Sequence, residues 1–116
     1  MPDDRLPLFC DVDDVGAAHV LALTSADVSN KRVLLWGGSF NWSAAVHYIA
    51  KKYPELKKRL PRGWEESTPK GDESYAALDT TLAKQALGIK FKTWEQTLDD
   101  CVEDLLKLEK SEQWES

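Results

Sequence analysis

The sequence predicts an α/β fold in which helices outnumber strands. Residues 8–12 and 32–36 are short, mainly apolar runs, and the second (RVLLW) stops at a Gly-Gly pair, as a strand buried on both faces does. Elsewhere, apolar residues recur at helical spacing over four segments. Because a sheet of two strands is marginal by itself, the chain is expected to lack partners for its own strands.

The first two helices are predicted over residues 15–26 and 42–53. Asp14 suits the N-cap of the first, because its carboxylate can accept hydrogen bonds from the free amides of the first turn. That helix is apolar on most faces, so we expect it to be buried on more than one side. Asn41 is the predicted cap of the second helix, and Pro54 ends it.

Two further helices are predicted after a loop at residues 62–74 that is rich in Gly, Pro and Ser. The third helix begins after Asp79 or Thr80 and ends before Gly88, which stands where a C′ glycine is expected. The last helix covers residues 94–110 and begins with a capping-box pattern, TWEQ.

The 116 residues suit one domain, and we expect a single partial domain over 1–116 with a frayed tail at 111–116. The net charge of −5 disfavours nucleic acid and anionic membranes as partners. No apolar run reaches the ~20 residues of a membrane span, and the first residues lack a secretory-signal pattern. Cys10 and Cys101 lack metal-ligand spacing. We therefore expect two reduced, buried thiols in a cytoplasmic protein, with a single disulfide as the less favoured alternative.

Few residues suggest catalytic or metal chemistry. His19 and His47 lie in apolar helical patterns without a nearby Ser or Cys, so packing histidines are favoured over general bases. Asp11, Asp13 and Asp14 are spaced somewhat like a calcium loop, but the required Gly and closing Glu are absent. The residues alone therefore predict no catalytic residue, no cofactor-binding residue and no metal ligand.

Three other features suggest binding more than catalysis. Gly37 and Gly38 favour a tight turn after a strand over a phosphate loop, because the full glycine-rich patterns are absent. Residues 51–62 carry six basic residues against one acid, which favours a solvated helix end over an acidic partner. Any of the five tryptophans outside the core would form an apolar patch. A non-catalytic protein-interaction module, using exposed tryptophans and the basic patch, is therefore an alternative function.

Three stretches resemble one family in order and spacing. FCDVDDVGAAHVLAL (9–23) resembles the FVDVRDVAxAHVxAL signature of extended short-chain dehydrogenase/reductases. LLWGGSFNWSAAVHYIAKKYPELKKRLPRG (34–63) is similar to the strand, turn and helix of the fungal NADPH-dependent aldehyde/ketone reductases, a group related to methylglyoxal and dihydroflavonol reductases. LDTTLAKQALGIKFKTWEQTLDDCVEDLL (78–106) is similar to their closing segment. The resemblance covers about residues 9–107.

This resemblance implies a helix-rich, C-terminal, substrate-side portion of an extended Rossmann-type reductase, with few strands and no complete nucleotide-binding sheet. A whole family member would reduce an aldehyde or ketone with NADPH. The resemblance also implies that Phe9, Asp11 and Asp13 form a substrate-side turn, although Asp13 stands where the family often has Arg. The implied partners are a small carbonyl substrate and either a separate nucleotide-binding half or a second copy.

The family's glycine-rich loop and its Ser/Thr and Tyr-x-x-x-Lys catalytic set are not among the matching segments. Tyr48 and Lys52 form a YxxxK pattern, but it falls in the segment that matches the post-sheet helix, so a chance occurrence is favoured. We therefore expect this chain to bind NADPH poorly and to be inactive alone.

Overall fold

A helix-rich arrangement with one small sheet forms this chain, as the sequence predicts. The computed structural model describes residues 7–68 and 78–111. Its helices and strands are β1 Leu8–Phe9, α1 Val12–Ala22, β2 Gly38–Ser39, α2 Trp42–Lys52, α3 Thr81–Ala86 and α4 Trp94–Lys110, with 3₁₀ turns at Ala26–Val28, Pro54–Arg59 and Trp64–Glu66. The two strands pair antiparallel, with Leu8 opposite Ser39 and Phe9 opposite Gly38. The predicted fold class is thus confirmed.

The predicted cap of α1 is wrong. The N-cap is Asp11, whose backbone is extended and whose side chain accepts a hydrogen bond from the Asp13 amide at 2.8 Å. Asp14 instead lies inside the first helical turn and is buried. The chain leaves β1 only two residues before the cap, so the helix begins earlier than its apolar pattern does.

The strand predicted at residues 32–36 is also wrong. This segment has no regular structure, and the strand that pairs with β1 begins two residues later, at Gly38. Leu34, which should have been buried, is 50% exposed. An apolar extended segment needs a neighbouring strand on its hydrogen-bonding edge. The described residues supply none for 32–36.

The local signals of the other helices are confirmed. The Asn41 side chain accepts from the Ala44 amide at 2.8 Å and caps α2. Thr93 and Gln96 form both hydrogen bonds of the capping box of α4. Gly88 has a left-handed φ of +64°, as a residue just past the C-terminus of α3 requires.

The core is built mainly from small side chains. One cluster contains Ala18, Val28, Leu87 and Ile89, and α2 buries Ala45, Val46 and Ala50. In the part of the chain that the structure describes, no large side chain is completely buried. The Cα radius of gyration is 17.1 Å. A compact chain of this length would have about 13 Å.

Helix α1 is exposed on its apolar side, so the prediction that it is buried on more than one side is wrong. Only Asp14 and Ala18 of the helix are buried. Val20 is 67% exposed, and Leu23, which ends the helix, is 85% exposed. Apolar side chains of this kind in one contiguous group mark a contact surface.

The prediction of two reduced, buried thiols is only partly confirmed. Both cysteines are free thiols, but only Cys10 is partly buried, because Cys101 lies on the exposed face of α4. No helix in residues 7–68 or 78–111 is both long and apolar enough to cross a membrane. The end of the predicted loop, residues 69–74, and residues 112–116 of the predicted tail lie outside the described residues.

A substitution at Gly37 is expected to destabilise the fold. A Cβ there would lie 2.8 Å from Cε2 of the Phe9 ring, so Gly37→Ala must displace that ring. We expect a loss of about 1–3 kcal/mol in the free energy of unfolding. Gly16→Ala is the control. Nothing lies within 4 Å of its Cβ, and alanine favours a helix interior, so a gain of about 0.5–1 kcal/mol is expected. Equal effects in urea titrations would contradict this packing argument.

Candidate functional site

The junction of β1 and α1 holds most of the residues that the sequence singled out. Asp11 is buried there, and both of its carboxylate oxygens are used. Oδ1 accepts from the Asp13 amide, and Oδ2 accepts from the Thr97 hydroxyl of α4 at 2.8 Å. Asp11 therefore caps its own helix and joins it to another.

Asp11 is held in its charged form. Burial alone would raise its pKa, but the hydrogen bonds from Asp13 and Thr97 and the positive charge of Lys92 together lower the pKa below its ordinary value. A fixed carboxylate of this kind does not serve as a proton donor near neutral pH. It positions the start of α1 instead.

The two other acids also contact the segment before α4. Asp14 Oδ2 accepts from the Lys92 backbone amide at 2.9 Å, and Asp13 Oδ2 pairs with the Lys92 ammonium at 2.8 Å. The same ammonium lies 3.4 Å from Asp100, and these carboxylates raise the Lys92 pKa. Asp11, Asp13 and Asp14 thus attach α1 to residues 92–100.

An open groove of about 870 Å³ lies beside these contacts, between the start of α1 and the exposed face of α4. Its ionisable lining is mainly acidic, with Asp11, Asp13, Asp100, Glu103 and Asp104 against Lys92 and Lys107. This charge would repel a pyrophosphate. In the described ranges no three His, Cys, Asp or Glu side chains converge to hold a metal ion.

Phe9 does not join Asp11 and Asp13 at the groove. Its ring covers the backbone of Gly37 and Gly38, and its carbonyl accepts from the Gly37 amide at 2.8 Å. Gly37 and Gly38 therefore belong to the two-strand ribbon and do not form the tight turn that the sequence predicted for them. The Gly37 amide is already bonded, so it is not available to a phosphate. Of the three residues predicted to form the substrate-side turn, the structure brings only Asp11 and Asp13 to the groove.

The YxxxK pair on α2 contacts α4. The Tyr48 hydroxyl donates to the two Asp99 carboxylate oxygens at 3.0 and 2.9 Å, and the Lys52 ammonium pairs with the same carboxylate. Tyr53 also donates to Asp99, at 3.3 Å. We name these four residues the Asp99 cluster.

The surroundings of Tyr48 favour its protonated hydroxyl. Burial first, and then the hydrogen bond and charge of Asp99, raise the pKa of Tyr48. The charge and hydrogen bond of Lys52 lower the Tyr48 pKa, but they only partly offset this rise. The Tyr48 hydroxyl thus keeps its proton, which it donates to the Asp99 carboxylate. Sequence reasoning did not connect Asp99 with Tyr48, because the two residues lie 51 positions apart.

The two histidines are occupied by backbone bonds. His47 Nε2 lies 2.7 Å from the Ser67 carbonyl and 3.3 Å from the Ser67 hydroxyl, which donates to the Trp64 carbonyl at 2.6 Å. Because Nε2 must carry the proton to donate to a carbonyl, it cannot act as a base toward this hydroxyl. His47 is therefore a structural histidine, as predicted. His19 is exposed and contacts the Val15 carbonyl, so it is not a packing residue.

Sequence and fold identify the chain as a C-terminal portion of an extended short-chain dehydrogenase/reductase, related to NADPH-dependent carbonyl reductases. Its sequence is 29% identical over 112 residues to the NADPH-dependent methylglyoxal reductase GRE2 of Saccharomyces cerevisiae, covering 93% of this chain and 33% of that protein. No protein-family model matches the chain.

Solved structures show the same relationship. The fold matches yeast methylglyoxal/isovaleraldehyde reductase Gre2 complexed with NADPH with a TM-score of 0.75 and 27% identity, over 95% of this chain and 37% of that chain. It matches Gre2 from Candida albicans with a TM-score of 0.73 and 32% identity, over 94% of this chain and 34% of that one. The chain therefore spans about a third of the length of these relatives.

Proposed function

We propose that this chain is the substrate-side part of an NADPH-dependent aldehyde or ketone reductase and is inactive by itself. The relatives support the reaction class, because they are NADPH-dependent reductases of which the chain covers a third. The Asp99 cluster supports the inactivity, because the tyrosine of its YxxxK pattern is held by a carboxylate. The groove has more acidic than basic side chains in its lining, which disfavours the phosphates of NADPH.

One observation carries this proposal: the described residues leave a surface without a partner. It consists of the exposed apolar side of α1, with Val20 and Leu23, and the unpaired segment 32–36. At the end of that segment, the buried Trp36 indole Nε1 has no acceptor among the described residues. Buried donors are almost always paired in complete folds. An additional protein surface would supply the missing contacts.

The partner in this proposal is the nucleotide-binding part of such a reductase. It would cover the apolar side of α1 and offer acceptors and a strand edge to residues 32–36. Apolar packing and backbone pairing of this kind need a folded partner with a sheet, which a two-strand ribbon does not provide. A second copy of the chain would cover α1 without completing the sheet.

The β1–α1 junction would border the substrate in the assembled enzyme. Asp11 is fixed in place by two hydrogen bonds, and Asp13 projects from it with 69% of its side chain exposed. In this arrangement Asp11 and Asp13 position the wall of a pocket for a small carbonyl compound, and Phe9 holds that wall on the ribbon. The cytoplasm, where NADPH is available and free thiols persist, suits the two unpaired cysteines.

NADPH binding and turnover test the proposal directly. The purified chain is titrated with NADPH while its tryptophan fluorescence is followed, and methylglyoxal reduction is measured by NADPH absorbance. We expect no saturable binding in the micromolar range and no turnover. Micromolar affinity for NADPH would overturn the proposal.

Binding of an apolar dye tests the uncovered surface. We expect dye fluorescence that falls when Val20 and Leu23 are both replaced by lysine, with Lys31→Gln as a matched surface control. A cooperatively folded chain that binds no dye would contradict the missing-partner argument.

A non-catalytic interaction module remains the second candidate. The exposed side chain of Trp42 and the basic residues of 51–62 favour it. However, Lys52 and Arg59 of that patch already pair with Asp99 and Glu109 within the chain. This use of charge leaves fewer cations for an acidic partner, so the reductase proposal has the stronger support.

A further inference from the structure

The two free cysteines line the same groove from opposite sides. Cys10 lies at the end of β1, directly before the Asp11 cap, and is partly buried. Cys101 lies on the exposed face of α4. Neither residue has a role in the reductase proposal, and this inference does not rest on it.

The contacts across the groove join the two segments that carry the thiols. Going backward along the first segment, Asp14 and Asp13 contact Lys92, and Asp11 contacts Thr97. From residue 14 back to residue 11, the contacted residue therefore shifts from 92 to 97, toward the C-terminus of α4. The next residue backward is Cys10, and the next turn of α4 on the Thr97 face ends at Cys101, four residues on.

We propose that Cys10 and Cys101 form a reversible disulfide across this groove when a peroxide or a small disulfide oxidises them. With hydrogen peroxide, one thiol is first oxidised to a sulfenic acid and releases one water. The second thiol then attacks that sulfur, the S–S bond forms, and a second water leaves. In total, two thiols lose two electrons and two protons, hydrogen peroxide accepts them, and two waters are released.

The order of the two steps follows from the surroundings of each thiol. Burial first, and then the charges of Asp14 and Asp11, raise the pKa of Cys10, so little of it is thiolate. Cys101 is exposed and meets the oxidant directly. Cys101 is therefore the residue that is oxidised first, and Cys10 is the residue that resolves it.

The product would attach the start of α1 covalently to α4, at the place where the hydrogen bonds of Asp11 and Asp14 already join them. Cross-linking residues that are far apart in sequence restricts the unfolded chain and stabilises the fold. Reduction by a thiol would restore the free cysteines.

Counting thiols after oxidation tests the inference. The chain is treated with hydrogen peroxide at low protein concentration, denatured and alkylated, and its mass is measured. We expect both thiols to become unreactive, the chain to stay monomeric on a non-reducing gel, and dithiothreitol to restore both thiols. Cys10→Ser and Cys101→Ser should each abolish the intramolecular product.

Two further measurements keep the test specific to the folded geometry. The disulfide should form about tenfold more slowly in denaturing urea, where closing the long loop is unassisted, and the oxidised chain should have a higher urea midpoint. A disulfide-linked dimer as the main product, oxidation of Cys101 that leaves Cys10 reactive, or equal rates with and without urea would each overturn the inference.

Discussion

Replacing Asp11 by alanine is expected to lower the free energy of unfolding by about 2–4 kcal/mol, because it removes an N-cap and a buried bond to a carboxylate. Both the Asp13 amide and the Thr97 hydroxyl lose their acceptor. Urea titration of the purified variant measures the loss. Asp13→Ala is the matched control, because that side chain is exposed and its ion pair with Lys92 is worth less than about 1 kcal/mol.

The stability that Asp11 contributes to the fold should be lost only at acidic pH. Its pKa is lower in the folded chain than in the unfolded chain, so its contribution is complete above the unfolded value of about 3.9. It is lost as the pH falls through the lower, folded value. The difference between wild type and Asp11→Ala should therefore be constant from pH 7 to about 5 and shrink only in stronger acid. A difference that disappears already near pH 6 would refute this assignment.

Replacing Asp99 by alanine is expected to lower the free energy of unfolding by about 2–4 kcal/mol. The hydroxyls of Tyr48 and Tyr53 would lose a charged acceptor in a partly buried place. Lys52 contributes little to this figure, because it is largely exposed and can be hydrated. The loss is measured by urea titration.

Asp100→Ala is the control for Asp99, because it removes the neighbouring carboxylate from the same helix. The Asp100 side chain is 59% exposed and lies 3.4 Å from the Lys92 ammonium, so a loss below about 1 kcal/mol in the free energy of unfolding is expected. The absorbance of tyrosinate adds a second measurement, because Asp99→Ala should lower the pKa of Tyr48. Equal losses in the two variants, with unchanged tyrosine titration, would show that the Asp99 cluster does not hold α2 to α4.

The helices with strong local signals could be predicted from the sequence. Asn41 and Pro54 bound α2, and the capping box at Thr93 starts α4, because each signal acts within one helical turn. The class of protein could also be predicted, since three motifs in one order are specific even where each is weak.

The main errors concern contacts between distant segments. The cap at Asp11 depends on where β1 ends and on Thr97, which is 86 residues away. The segment 32–36 has the composition of a strand, but composition does not provide the neighbouring strand that pairing needs. The exposure of Leu23 has the same origin, because a periodic pattern identifies an apolar face without identifying what covers it.

The bond between Asp14 and the Lys92 amide has a consequence for the order of folding. The two residues are 78 positions apart, so α1 leaves the ribosome long before its anchoring partners are made. Until residues 92–97 emerge, only the local cap of Asp11 on the Asp13 amide stabilises the first turn of α1, and no contact with α4 holds the helix in place. Closing so long a loop is slow and entropically costly. The N-terminal helix of this chain is therefore among the last parts to reach its final place.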